Sequence, residues 1–100
     1  MTLFARLLQF TPGDDARAAV RDKHRAHLRE LLGSGHLVMS GPWIDDNGAL
    51  IVYDVDTIED AHALIAADPY TQAGVVTEAG LHAWNVVFDR SAVAEVSSPR

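Results

Sequence analysis

The chain has 100 residues, of which 48% are hydrophobic, and a formal net charge of −6 at neutral pH. This length corresponds to one domain with a modest hydrophobic core. An acidic chain has no basic surplus that would attract phosphate groups, which argues against nucleic acid and anionic membranes as partners. The sequence contains no cysteine, which excludes disulfide bonds, thiolate chemistry and cysteine-based zinc sites.

The sequence also indicates the cellular compartment of the protein. Residues 2–9 lack the basic region and the length of a secretory signal peptide. No stretch approaches the roughly 20 apolar residues that are needed to span a bilayer. Together with the absence of cysteine, these features predict a cytoplasmic protein.

The chain begins with a predicted strand and a long helix. Residues 2–10 are aliphatic or aromatic on both alternating faces and are followed by a Thr-Pro-Gly breaker, which is typical of a strand. A helix follows with Asp14 or Asp15 as its N-cap. It is expected to run to about Leu32, because Gly33-Ser34-Gly35 offers residues that tolerate a positive φ.

A predicted hairpin comes next. Residues 36–43 read as a second strand that stops at a Gly-Pro pair, and residues 49–55 as a third. Between them lies Asp45-Asp46-Asn47-Gly48, in which Asn-Gly is the strongest short hairpin signal. The two strands are therefore expected to pair antiparallel.

Two helices and a final strand complete the pattern. Thr57 is the expected N-cap of a helix that stops before Pro69, because the residue that precedes a proline is displaced from the α region. Pro69 suits the first position of a short helix that extends to about Val75. Residues 78–88 alternate on two faces and predict a fourth strand.

The order βαββαβ predicts a ferredoxin-like α+β sandwich, with a four-stranded antiparallel sheet and both helices on one face. An antiparallel sheet with one face in water should alternate apolar and polar residues, but the first and last strands are apolar on both faces. The second face is therefore expected to pack against another copy of the chain, which predicts a homodimer. The domain is expected to span residues 1–90, and residues 91–100 to form a C-terminal tail.

A histidine lies at the centre of the apolar face of the first helix. The helical wheel places two histidines and three aliphatic residues on this face: Val20, His24, His27, Leu28 and Leu31. It places four charged residues on the opposite side: Arg21, Asp22, Arg25 and Arg29. Such a histidine is more often a core residue than a catalytic one, but an unperturbed pKa of about 6.5 suits proton transfer at neutral pH.

Asp68 is the candidate partner of His24. An aspartate before a proline is a good N-cap for the short helix, and this structural role is compatible with a functional one. One carboxylate oxygen can accept a hydrogen bond from the N–H of Tyr70 or Thr71, while the other orients the imidazole. A carboxylate in that position would fix the tautomer of the histidine and stabilise its charged form.

Ser40-Gly41-Pro42 ends the second strand and is a candidate pocket wall. A residue without a side chain lets a ligand approach the backbone, although a simple bend at a strand end is the plainer interpretation. Ser40 lacks the G-x-S-x-G setting of a nucleophile elbow.

These motifs resemble those of the YCII-related (YciI-like) family. The resemblance rests on an R-x-x-H helix, a G-P strand end and a D-P-Y/F-x-x-A-G segment, here Arg21, His24, Gly41, Pro42, Asp68, Pro69, Tyr70, Ala73 and Gly74. Each motif is weak alone, but their order and spacing together are specific. The family implies a dimeric α/β barrel of ferredoxin-like subunits and an active site with a His–Asp pair, which corresponds to His24 and Asp68. The family usually has leucine where this chain has Arg25.

The residues and the resemblance together predict a cofactor-independent enzyme that acts on a small cyclic or aromatic metabolite. The better-understood relatives imply elimination, such as dehydrochlorination of a hydroxylated aromatic, or isomerisation. His24 is the expected general acid or base, and Asp68 orients it. The expected substrate contacts are Arg21, Ser40, Gly41, Pro42 and Tyr70.

Two alternatives stay open. The chain could be a non-catalytic small-molecule-binding or interaction module, in which His24 and Asp68 form a structural pair. It could also be a metal-assisted enzyme that uses His24, His27 and Asp68, although the main prediction includes no metal and no cofactor.

Overall fold

The computed structural model describes residues 2–13 and 15–90, which form four strands and three helices. The strands are β1 (Thr2–Phe10), β2 (Leu37–Pro42), β3 (Gly48–Val55) and β4 (Val76–Trp84). The helices are α1 (Asp15–Ser34), α2 (Ile58–Ala67) and the short α3 (Pro69–Gln72). Asp14, one of the two predicted caps, and the predicted tail at 91–100 lie outside the described residues.

The strands form one antiparallel sheet in the order β2-β3-β1-β4. Both long helices pack on the same face of this sheet. The side chains that meet there form the main core: Leu8, Leu28, Leu31, Leu37, Ala49, Ile51, Tyr53 and Ile65. This βαββαβ arrangement confirms the predicted ferredoxin-like α+β fold.

The first helix ends at Ser34, two residues later than the predicted end near Leu32. Gly33 lies inside α1, and Gly35 has the positive φ of 85° that terminates it. The backbone N–H of His36 donates to the carbonyl of Leu31 at 2.9 Å and closes the last turn. None of the helices in the described ranges combines the length and the apolar character that a membrane span requires.

The last strand begins and ends earlier than the predicted residues 78–88. It is an edge strand that pairs with β1, so its length is set by the length of β1. Val76 lies opposite Phe10 at the end of β1, and Trp84 lies opposite Leu3, next to the start of β1. Beyond Leu3 only Thr2 remains in β1, so the strand cannot continue to Phe88 although the alternation does.

The predicted caps of α2 and α3 are both present. Thr57 Oγ1 accepts a hydrogen bond from the N–H of Asp60 at 3.1 Å. Asp68 Oδ1 accepts one from the N–H of Tyr70 at 2.9 Å, at the start of α3. α3 is shorter than predicted and ends before Gly74, whose φ is 68°. Asp68 is thereby fixed at the junction between the two helices.

Candidate active site

α1 and the start of α3 bring His24 and Asp68 together. His24 Nδ1 lies 2.8 Å from Asp68 Oδ1. The side chain of Asp68 is fully buried, and that of His24 is 12% exposed. The ring of Tyr70 stacks on the imidazole, with the ring centroids 3.8 Å apart and the planes 5° from parallel. The imidazole is therefore held at one edge by a carboxylate and on one face by an aromatic ring.

A buried arginine completes the surroundings of Asp68. The guanidinium of Arg6, on β1, donates from Nη1 to Asp68 Oδ2 at 2.8 Å and to the hydroxyl of Tyr53 at 3.0 Å. It donates from Nε and Nη2 to the carboxylate of Glu78 at 2.9 and 2.6 Å. Nη2 also donates to Thr71 Oγ1 at 3.1 Å. Arg6 thus connects three strands with the start of α3.

These contacts decide the charge of Asp68. Burial alone would raise the pKa of its carboxyl, but hydrogen bonds from His24, Arg6 and the N–H of Tyr70 hold that pKa below its ordinary value. Asp68 is therefore ionised at neutral pH.

The charge of Asp68 in turn decides the tautomer of His24. A carboxylate only accepts hydrogen bonds, so Nδ1 of His24 is the donor in this pair. In the neutral ring, Nε2 then carries the lone pair. No residue in the described part of the chain hydrogen-bonds to Nε2, so this nitrogen is available to a ligand.

The charges around Arg6 are also defined. Burial by itself lowers the pKa of Arg6, but the hydrogen bond to Glu78, with contributions from Tyr53 and Asp68, raises it above its ordinary value. Burial raises the pKa of Tyr53 to about 12, so its phenol is neutral and can accept from Arg6 while keeping its own proton. The buried cation is thus balanced by two carboxylates.

His24 opens onto a cavity of about 680 Å³ between α1, β2 and the sheet. This volume lies within the range of small-molecule sites in proteins, about 300–1,000 Å³. All five residues predicted to contact substrate line it: Arg21, Ser40, Gly41, Pro42 and Tyr70. The sheet and the core side of α1 contribute apolar walls: Leu8, Phe10, Leu28, Leu37, Ala49 and Ile51.

The helix side of this cavity is cationic, which the helical wheel did not predict. Arg21, Arg25 and Arg29 are assigned by the wheel to the side opposite His24, and that prediction is wrong, because all three line the cavity. At 100° per residue, the first two lie only about 60° and 100° around the helix from His24. Leu28 and Leu31 of α1 pack in the core, and the flank that carries these arginines meets the cavity.

A fourth arginine closes one end of the cavity. Arg17 is buried, and its Nη2 lies 2.8 Å from Asp46 Oδ2 in the β2–β3 turn. Its guanidinium carbon lies 3.8 Å from the centroid of the Phe10 ring, in a cation–π contact. Asp46 itself has a φ of 60°. Arg17 thereby fastens the turn to α1.

The structure does not bring together the ligands that the metal-assisted alternative requires. The described residues include no group of three or more histidine, aspartate or glutamate side chains placed to hold a metal ion. His27 Nε2 is buried, and no hydrogen-bond partner for it lies within the same residues. The structure therefore does not group His27 with His24 and Asp68.

The sequence motifs did not single out Arg6, Glu78 or Tyr53. One signal was present: Arg6 is a charged residue between Phe4 and Leu8, in a strand that is otherwise strongly apolar. A buried charge is retained only with partners, so such an arginine indicates a polar network in the core. The identity of the partners was not available from local spacing, because Glu78 is 72 residues away along the chain.

The fold and the cavity define a class of small ferredoxin-like α+β proteins in which a histidine paired with a buried carboxylate lines a cavity. The chain belongs to the YCII-related family, since a sequence model of the YCII-related domain matches residues 2–85.

Individual relatives agree with this assignment. The chain is 31% identical to Protein YciI of Escherichia coli O6:H1, with 74% of this chain and 86% of the relative covered. It is 30% identical to an uncharacterized protein of Haemophilus influenzae, with the same coverage.

A solved structure shares the fold. It is the 5-chloro-2-hydroxyhydroquinone dehydrochlorinase TftG of Burkholderia phenoliruptrix AC1100, in complex with 2,5-dihydroxybenzoquinone. The TM-score is 0.70 at 22% sequence identity, with 83% of this chain and 93% of that chain covered. At this identity, the likeness supports the fold of the chain.

Proposed function

We propose that this protein is an enzyme that moves a proton on a small cyclic or aromatic metabolite, in an elimination or an isomerisation. The observation that carries the proposal is the 2.8 Å contact between Oδ1 of the buried Asp68 and Nδ1 of His24, whose ring lines the cavity. A carboxylate in this position leaves Nε2 as the base and stabilises the imidazolium that forms. The dehydrochlorinase with its bound dihydroxybenzoquinone supports a small cyclic ligand and lyase chemistry in this fold.

In the proposed reaction, Nε2 of His24 takes a proton from a ring carbon of the substrate. The electron pair of that C–H bond becomes a double bond, and the leaving group departs with the electrons of its own bond. Asp68 stays ionised, and Arg6 holds it in place from the side away from His24. In an isomerisation, the imidazolium instead returns the proton to a different carbon.

Replacement of His24 tests this role. His24→Gln should lower turnover by about 10²–10⁴-fold, the usual contribution of a general acid–base group. His62→Gln is the matched control, because His62 is exposed on α2 and does not line the cavity. The assay follows deuterium uptake at carbon and chloride release, by NMR in D₂O, over a panel of hydroxylated and chlorinated cyclic compounds. Turnover by His24→Gln at the unchanged rate would overturn the base assignment.

A non-catalytic binding module is the second candidate. It is favoured by the structural contacts of Asp68, which caps α3 and pairs with Arg6 whether or not His24 is a base. In that case His24→Gln and the unmodified chain would bind the same cyclic compounds, and neither would exchange a proton with any of them.

A further inference from the structure

An arginine occupies every fourth position along the cavity side of α1: Arg17, Arg21, Arg25 and Arg29. All four line the cavity. They are half of the eight lysines and arginines in a chain whose net charge is −6. Among the described residues, Asp46 is the one acidic side chain that lines the same cavity. The cavity is therefore a concentrated positive region on an acidic protein.

The four arginines differ in what they contact. The guanidinium of Arg17 forms an ion pair with Asp46 and a cation–π contact with the ring of Phe10. In the described part of the chain, the guanidinium groups of Arg21, Arg25 and Arg29 make no ion pair. We refer to these three residues as the arginine ladder.

The arginine ladder is unfavourable for the helix alone. Like charges at i and i+4 face each other and destabilise a helix. Four residues advance the helix by about 6 Å, so the ladder extends about 12 Å along the cavity. A bound anion would relieve this repulsion, and arginine is suited to carboxylates because its planar guanidinium can donate two parallel hydrogen bonds.

The wall that faces the arginine ladder is apolar. Phe10, Ala49 and Ile51 line the sheet side of the cavity, and His24 lines the same cavity from the helix, about 60° around the helix axis from Arg21. A ligand that fits both regions has an apolar ring and an anionic substituent. Placing the anion against the ladder and the ring against the sheet brings a ring carbon towards His24.

We propose that the cavity binds its substrate as a cyclic carboxylate, with the carboxylate held by Arg25 and its ladder neighbours and the ring lying against the sheet. This inference rests on the proposed function, because it names the substrate class of the same site. Its test can nevertheless be made on binding alone.

The test compares 2-hydroxybenzoate with 2-hydroxybenzamide, a neutral probe of nearly the same shape. Binding to the full chain is measured by titration calorimetry and by NMR shifts of the His24 ring, at low and high salt. The carboxylate should bind roughly ten-fold or more tightly than the amide at low salt, as expected for charge-assisted hydrogen bonds. The difference should shrink in high salt, since exposed charges are screened.

Variants assign the preference to the arginine ladder. The double substitution Arg25→Gln with Arg29→Gln should remove the preference for the carboxylate. Lys23→Gln should keep it, because Lys23 is an exposed cation of the same helix that does not line the cavity. Equal affinity for the two probes, equal loss in Lys23→Gln, or no binding of the carboxylate at 10 mM would each overturn the inference.

His24→Gln separates this inference from the proposed function. If that variant keeps the carboxylate preference, the arginine ladder binds anions independently of the base. Turnover retained by the same variant would then contradict the role of His24 and leave the carboxylate site supported.

Discussion

At the scale of residues, the chemistry depends on one buried carboxylate. Asp68 receives hydrogen bonds from His24, from Arg6 and from the backbone at Tyr70, which leaves it ionised although it is fully buried. An uncharged Asp68 would compete as a donor and would no longer fix the tautomer of His24. The positive partner on β1 is thus as important to the site as the histidine itself.

The lowered pKa of Asp68 predicts a specific loss of stability in acid. Because the folded-state pKa lies below the ordinary value of 3.8, the ionised group stabilises the fold above that value. This contribution is lost as the pH falls through the folded-state pKa. The free energy of unfolding should therefore fall more steeply below about pH 4 in the unmodified protein than in Asp68→Asn.

Urea unfolding of both proteins at pH 7, 4 and 3 measures this difference. The gap in unfolding free energy between them should narrow as the pH falls below 3.8, because the unfolded chain then takes up a proton at Asp68. A gap that stays constant across this range would show that Asp68 is not held ionised by its partners.

The residues of the site were predictable to different degrees. His24 and Asp68 could be paired from the sequence because each lies in a local motif, an R-x-x-H helix and a D-P-Y segment. Arg6 could not be placed, since its partners at Asp68 and Glu78 come from the far end of the chain. Local sequence spacing identifies the histidine and the aspartate of the site, and contacts between distant parts of the chain determine the charge of the aspartate.

At the scale of elements, two glycines should respond in opposite ways to an added methyl group. Gly48 begins β3, and a Cβ at this position would collide with the backbone carbonyl of Leu8 on the neighbouring strand. Gly33 lies inside α1, and a Cβ there would meet no atom within 4 Å. Gly48→Ala should cost about 1–3 kcal/mol, as overpacking does. Gly33→Ala should stabilise by about 0.5–1 kcal/mol, because glycine is unfavourable in a helix.

Thermal and urea unfolding of the two variants provides the measurement, with the unmodified chain as reference. The same chemical change is made in both, so opposite signs can only come from the structural surroundings. A stabilising Gly48→Ala would contradict the close approach of β1 and β3 at this position.

Element boundaries were predictable where the signal is local. The caps at Thr57 and Asp68 and the breaker after Phe10 are local, and each marks a boundary in the structure. The end of β4 is not local, because it depends on where β1 begins. The apolar alternation continues to Phe88 and therefore predicts too long a strand.

At the scale of the whole molecule, the second face of the sheet carries apolar side chains. Alternation and strand pairing place on it Leu3, Ala5, Leu7, Leu50, Val52 and Trp84, together with the polar residues Asp54 and His82. Trp84 is 44% exposed, and Met39 at the edge is 60% exposed. Both long helices lie on the opposite face. A homodimer through this second face, closing the barrel that the family resemblance implies, stays our prediction.

Analytical ultracentrifugation at micromolar concentration tests the dimer. The sedimenting mass should be twice the 10.9 kDa of the chain, and Trp84→Arg should shift the equilibrium towards the monomer, because it buries an unpaired charge in the interface. A replacement in the fully exposed loop, Ile44→Arg, is the control and should leave the mass unchanged. A sedimenting mass of 10.9 kDa for the unmodified chain would contradict the prediction of a dimer.

The lining of the cavity is also a property of the whole molecule. The spacing of the arginines was visible in the sequence, but a helical wheel cannot tell which flank of a helix borders a cavity. That depends on how α1 lies across the sheet and on the position of β2, whose residues also line the cavity. The cationic lining therefore became apparent only from the assembled fold.

The central claim is that ionised Asp68 fixes the tautomer of His24 and leaves Nε2 as the base. ¹⁵N NMR of the His24 ring, at a pH where the imidazole is neutral, tests it most directly. The claim predicts a proton on Nδ1 and a bare Nε2 in the unmodified protein, and loss of this preference in Asp68→Asn. A ring that carries its proton on Nε2 in the unmodified protein would contradict it.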